Sequence, residues 1–160
     1  MKYPNNDVYE GEFLNGAKHG SGDYTYAEGG KYSGAWKNDL KDGQGKFNFA
    51  SGDVYEGAFS NDKKSGQGTY TFKDGAKYVG GFSDNHKQGQ GELRYPDGSL
   101  YKGNFKDGER HGQGTFTYPN GDIYVGNFDK NIRSGQGEYT SKADGNKYSG
   151  NWVNDEPEKK

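Results

Sequence analysis

The chain contains no cysteine, which excludes disulfides and thiolate-ligated metals alike. Proline occurs four times and tryptophan twice in 160 residues. Leu, Ile, Val and Phe together number 20, about an eighth of the chain, too few for a large aliphatic core. No apolar run approaches the ~18 residues of a membrane span, and Met1-Lys2-Tyr3-Pro4 opens no signal peptide. There is no Asn-x-Ser/Thr sequon. A net charge of −2 gives no general attraction to nucleic acid, so no nucleic-acid partner is expected. Gly-x-x-x-x-Gly-Lys-Ser/Thr and Gly-x-Gly-x-x-Gly are both missing, so the glycines offer no phosphate loop and no cofactor is implied. Together these absences predict a cytoplasmic protein.

What the chain does contain is 29 glycines and 16% aromatic residues, and both fall at regular intervals. Tyrosine recurs at 9, 32, 55, 78, 101, 124 and 148, in five steps of 23 and one of 24. Glycine stands two residues after each, from Gly11 to Gly150, and Phe or Trp four residues after each, from Phe13 to Trp152. A Gly-x-Gly pair follows at 20/22, 43/45, 66/68, 89/91, 112/114 and 135/137. Behind it come rings with period 2, such as Tyr24/Tyr26, Phe47/Phe49, Tyr70/Phe72 and Phe116/Tyr118. Low aliphatic content alone would suggest disorder, but aromatics on a fixed frame at low net charge argue for order.

Each unit holds two period-2 segments, the spacing of strands. In the third unit Tyr55, Gly57 and Phe59 share a face, as do Gly66, Gly68, Tyr70 and Phe72. A six-residue hairpin loop from Ser60 to Ser65 sets Phe59 opposite Gly66 and Tyr55 opposite Tyr70. Lys73-Asp74-Gly75 reads as a three-residue turn with glycine in the left-handed position. The glycines then leave room for large rings to lie flat on the sheet. The other face, with Thr69, Thr71, Thr115, Thr117, Ala58 and Asn104, is small and polar. The expected fold is all-β: an elongated, twisted, single-layer antiparallel sheet of stacked hairpins with an aromatic-lined groove. Residues 1–155 form about six and a half units, and 156–160 a charged tail that blunts the last edge. The open N-terminal edge leaves room for a homodimer or end-to-end association.

The pattern Tyr101-Lys102-Gly103-Asn104-Phe105, His111-Gly112-Gln113-Gly114, then Asn120-Gly121, resembles the MORN (membrane occupation and recognition nexus) repeat. The resemblance spans residues 3 to about 155, with Phe in place of the commoner Trp in five of seven copies. It implies a solenoid of β-hairpins and a role in protein–protein assembly at membranes, the cytoskeleton or cilia. Relatives that carry catalytic domains attach them outside the repeats, and no such domain is visible.

Nothing in the chain reads as an enzyme. His19, His86 and His111 lie ~20 Å or more apart on the expected frame and cannot share a metal. The carboxylates sit before turn glycines, as Asp74 and Asp97 do. Two candidate binding features remain. A single-layer sheet has no second layer to cover its rings. The aromatic groove is therefore expected to hold a partner peptide or helix, with Tyr55, Phe59, Tyr78, Phe82, Tyr101 and Phe105 at its centre. The other is a basic column nine residues after each tyrosine: Lys18, Lys41, Lys64, Lys87, Arg110 and Arg133. Read as an edge of the ribbon, Lys41, Lys64, Lys87, Arg110 and Arg133 protect it from pairing or attract anionic phospholipid or an acidic partner. Carbohydrate binding by aromatic repeats is disfavoured by the shortage of tryptophan. The leading function is a non-catalytic scaffold, cytoplasmic or attached to cytoskeleton, cilium or membrane surface; the alternative is a peripheral membrane binder.

Overall fold

The computed structural model describes residues 1–159 and has no helix among them. Fourteen strands lie in one antiparallel sheet in chain order. By compactness the chain divides into two units, residues 1–75 with 82–85, and residues 76–81 with 86 onward. The first holds β1 (Val8–Leu14), β2 (Ala17–Thr25), β3 (Gly30–Lys37), β4 (Leu40–Phe49), β5 (Val54–Ser60) and β6 (Lys63–Thr71). β7 (Lys77–Ser83) gives its last residues to the first unit and its earlier ones to the second. The second continues with β8 (His86–Arg94), β9 (Leu100–Lys106), β10 (Glu109–Thr117), β11 (Ile123–Asp129), β12 (Ile132–Thr140), β13 (Lys147–Val153) and β14 (Glu156–Pro157).

The hairpin within each repeat is tighter than the sequence suggested. Ser60 pairs with Lys63 across a two-residue turn, Asn61-Asp62, with φ of 48° and 69°. Two successive positive φ values define a type I′ turn, whose twist matches that of the flanking strands. Asn38-Asp39, Lys130-Asn131 and Asn154-Asp155 repeat it. The expected six-residue loop is thus mostly strand. A bulge between Gly57 and Phe59 absorbs the difference, so Phe59 pairs with Lys64 and not with Gly66. Tyr55 does pair with Tyr70, as expected. The other side of Phe59 faces Gly43, so this ring, like Trp36, Phe105 and Phe128, has glycine on one flank and a basic residue on the other. The turn at Gly75 forms as expected, with φ of 96° and its N–H donating to the Phe72 carbonyl at 3.0 Å.

The two glycines of each Gly-x-Gly pair do different work. Gly66 occupies the bulge at φ 59°, a conformation that costs a side-chain-bearing residue more than glycine. Gly68 lies beneath the Tyr55 ring: a Cβ there would come within 2.6 Å of Cε2 and 2.5 Å of the hydroxyl. The ring lying flat on the glycines is thus the tyrosine's own, and Tyr55 Oη donates to the Ala58 carbonyl at 2.7 Å. Tyr9, Tyr32, Tyr78, Tyr101 and Tyr124 donate in the same way to the carbonyl three residues on. A buried phenol keeps its hydrogen bond by this route.

The C-terminal segment is folded where it is described. Glu156 pairs with Val153 and Pro157 with Trp152, and the Glu158 amide donates to the Asn151 carbonyl at 2.8 Å. The tail therefore covers part of the β13 edge; its last residue, Lys160, lies outside the described residues.

Candidate partner-binding face

Two rows of rings share the aromatic face of each unit. The first consists of the repeat tyrosines and the Phe or Trp four residues on. In the first unit Phe13, Tyr9, Trp36, Tyr32, Phe59, Tyr55 and Phe82 form an unbroken zigzag with centroid separations of 5.0 to 5.6 Å. In the second unit the zigzag runs Tyr78, Phe105, Tyr101, Phe128, Tyr124, Trp152 and Tyr148. Every contact is edge to face, with interplanar angles of 82° to 87° in the second unit, the arrangement favoured by ring quadrupoles. Between its end rings, the exposed Phe13 and the half-exposed Tyr148, this row is the core: Tyr55, Tyr78 and Tyr101 are 0% exposed, and Phe59, Phe82 and Phe105 are 6%, 6% and 3% exposed. All six expected partner-binding residues therefore lie within it. Packed glycine backbone and neighbouring rings cover them without a second layer of secondary structure.

The second row is half-exposed. It comprises Tyr24, Tyr26, Phe47, Phe49, Tyr70 and Phe72 in the first unit. Phe116, Tyr118 and Tyr139, joined by Tyr95, form it in the second. Neighbours stack or tilt at 4.3 to 5.8 Å in the first unit, the closest being Phe47 on Phe49 at 4.3 Å. These rings carry the area a partner can reach. Their period-2 spacing was plain in the sequence; their greater exposure was not, because both rows share one face.

A carboxylate tunes this row. Asp53 accepts the Tyr70 hydroxyl at 2.7 Å and the Lys73 amide at 2.8 Å. Asp7 does the same for Tyr24 and Ala27, and Asp122 for Tyr139 and Lys142. The Ala27 amide and the Tyr24 hydroxyl hold the Asp7 carboxyl below its ordinary range. Burial, and then the bond to Asp122, push the Tyr139 phenol up to about 12. Where this position is Gly30, Ala76 or Ser99, the ring position holds Phe47, Leu93 or Phe116, none with a hydroxyl to satisfy. That pairing across repeats was available in the sequence as a correlation at a separation of 17.

The basic column does not stand along an edge. Because the hairpin loop is short, Lys18, Lys41, Lys64, Arg110 and Arg133 pair opposite the ring of the zigzag and fold over the aromatic face. Lys41 Nζ sits 5.3 Å from the Phe47 centroid and 5.7 Å from that of Tyr32, with its side chain 13% exposed. Lys64 is placed likewise over Tyr70, Phe49 and Tyr55, and Arg110 over Phe116, Phe128, Tyr95 and Tyr101. Arg133 lies 4.5 Å from Trp152, and Lys87 5.8 Å from Tyr78. Such contacts favour the cation by roughly 0.5–2 kcal/mol. Burial lowers the pKa of Lys64, with Lys41 adding repulsion, and burial also lowers that of Lys87. Each cation fills space between the two ring rows.

The next hairpin clasps this column. The Lys41 amide donates to Asp62 Oδ1 at 2.8 Å, and the Asp62 amide donates back to the Lys41 carbonyl at 2.9 Å. Lys18 with Asp39 and Arg133 with Asp155 repeat the exchange. A type I′ turn residue thereby ties one repeat to the one before. No group of three or more His, Asp or Glu able to hold a metal occurs among the described residues.

Similarity to solved structures is confined to the fold. The chain matches the TCP domain of SAS-4 (dCPAP) of Drosophila melanogaster, in complex with a proline-rich motif of Ana2 (dSTIL), at a TM-score of 0.56 and 16% identity. The match covers 94% of this chain and 82% of that one. It also matches the TCP10 domain of Danio rerio CPAP, in complex with a peptide of STIL, at a TM-score of 0.53 and 16% identity. Here 89% of this chain covers 63% of the other, less than two thirds of its length. Among curated proteins none matches. The MORN repeat pattern, by contrast, fits seven segments: residues 9–31, 32–54, 55–77, 78–100, 101–123, 124–145 and 148–158. Those segments start on the tyrosines that head the buried zigzag, and the chain belongs to the MORN repeat family.

Proposed function

We propose that the chain is a non-catalytic scaffold whose aromatic face docks an extended segment of a partner protein. The observation that carries this reading is the half-exposed ring row, continuous in the first unit from Tyr24 to Phe72 and bordered by basic side chains. Flat rings at strand spacing suit the preformed, low-entropy backbone of a proline-rich segment. The two domains of similar fold support the reading, since one is in complex with a proline-rich motif and the other with a peptide. Tyr55, Phe59, Tyr78, Phe82, Tyr101 and Phe105 then act from beneath, holding the outer rings in place and meeting the partner only at their edges. The proposed setting is cytoskeletal or membrane-associated assembly, as the MORN resemblance implies.

Headgroup binding by Lys41, Lys64, Lys87, Arg110 and Arg133 remains the alternative. The half-burial of these residues and the pairing of Lys41 and Arg133 with aspartates weaken it. The test replaces Tyr70 and Phe72 together with alanine and titrates a labelled proline-rich peptide. Loss of peptide binding with the fold retained is expected; unchanged binding would remove the outer row from the site.

A further inference from the structure

Among the described residues the basic side chains of the aromatic face are not equally neutralised. Lys18 meets Asp39 at 3.4 Å, Lys41 meets Asp62 at 3.5 Å and Arg133 meets Asp155 at 3.3 Å. Each acid is the second residue of the following type I′ turn. In two repeats that residue is an asparagine. Asn85 and Asn131 still accept the amides of Lys64 and Arg110, both at 2.9 Å, but bring no charge.

Arg110 is the sharper case. Its Nη2 donates to the Asn131 carbonyl at 2.6 Å, while its buried Nε has no acceptor. A guanidinium carries five N–H donors, so most of this one's capacity is unused by the protein. With Arg133 and Asp155, which neutralise each other, it lines a cavity of about 320 Å³ whose walls include the half-exposed rings Phe116 and Tyr118, so Arg110 carries the cavity's unbalanced charge. That volume is at the small end of ligand cavities and suits one or two side chains, not a helix. Aromatic walls satisfy none of the guanidinium hydrogen bonds, and a planar fork matches a carboxylate in both geometry and charge.

We infer that this cavity receives a carboxylate side chain of an extended partner segment, bound by Arg110 beside the touching rings Phe116 and Tyr118. The partner thereby supplies the negative charge that Asp39, Asp62 and Asp155 supply internally elsewhere. The inference rests on the docking role proposed above and gives the partner its chemistry: proline-rich and acidic.

Asn131→Asp tests it with little risk to the fold, since Asp39, Asp62 and Asp155 already occupy the same turn position at φ of 67° to 69°, against 72° for Asn131. The probes are a labelled peptide of three Pro-Pro-Glu-Pro blocks, its Pro-Pro-Gln-Pro counterpart, and phosphatidylserine vesicles. The wild-type protein is expected to prefer the Glu peptide about tenfold, the scale of one charge-assisted hydrogen bond. Asn131→Asp should abolish that preference without moving the melting midpoint, and Asp155→Asn, which releases Arg133, should enlarge it. Equal binding of both peptides would overturn the carboxylate site and leave the docking role standing. Binding of neither would overturn both. A Glu preference that survives Asn131→Asp would remove Arg110 from the site. Vesicle binding without a Glu preference would replace the peptide carboxylate with a lipid headgroup.

Discussion

The two ring rows share a face, a strand spacing and a residue vocabulary, yet one is sealed and the other half-open. The difference lies beneath them. Tyr101 lies on Gly114, where a Cβ would come within 2.4 Å of Cε2, so the ring drops against the backbone and its hydroxyl reaches the Asn104 carbonyl. Phe116 stands next along the same strand with no such glycine seat and stays half-exposed. A single-layer sheet can thus bury aromatics without a second layer, provided glycine opens the sheet surface under them.

Filling a seat should break the contrast most severely. Gly114→Val is expected to lift the Tyr101 ring and destabilise the protein by about 3 kcal/mol or more, read from chemical denaturation. Gln113→Val, on the exposed neighbour, should change little; equal effects would mean that the seat does not create the buried row. Truncating the rings themselves sharpens the comparison. Tyr101→Ala should cost about 3–5 kcal/mol. Phe116→Ala should cost about 1–2 kcal/mol at most, because much of its surface is already in water, while weakening peptide binding. A Phe116→Ala cost as large as that of Tyr101→Ala would place the outer row in the core as well.

The smallest effect concerns the acids that hold the outer row and the basic column. The Ala27 and Lys18 amides lower the carboxyl pKa values of Asp7 and Asp39, and the Tyr139 hydroxyl that of Asp122. A carboxylate with a depressed folded-state pKa contributes stability above its unfolded value, near 4, and loses it as pH falls through the folded value. Stability should hold level down to about pH 5 and decline below about pH 4. Asp122→Asn should make that decline shallower. An unchanged acid limb would show that the bonds from Tyr139 and Lys142 do not favour the ionised form.

Much of this was legible in advance. The 23-residue period and the tyrosine–glycine–ring triplet are read directly from the residues, whereas the pairing of Tyr55 with Tyr70, expected from a six-residue loop, holds because the bulge between Gly57 and Phe59 offsets the shorter turn. The tight hairpin was also signalled, by Asn15-Gly16 and Asp107-Gly108, the dipeptides that favour type I′ turns. Reading Ser60 to Ser65 as a loop took Lys64 out of the strand and so off the aromatic face. With the turn reduced to Asn61-Asp62, Lys64 shares parity with Gly66, Gly68 and Tyr70 and turns towards the rings.

Sequence by itself determined that this chain is a repeated antiparallel hairpin with its rings on one face, because a period of two assigns a face and a period of 23 repeats it. Only the tertiary structure decided which rings are sealed and which are offered, and which cations are neutralised. Depth depends on what lies under a ring, as Gly114 lies under Tyr101. Neutralisation depends on a turn residue 21 or 22 positions away, brought alongside by the next hairpin, as Asn131 is to Arg110 and Asp155 to Arg133.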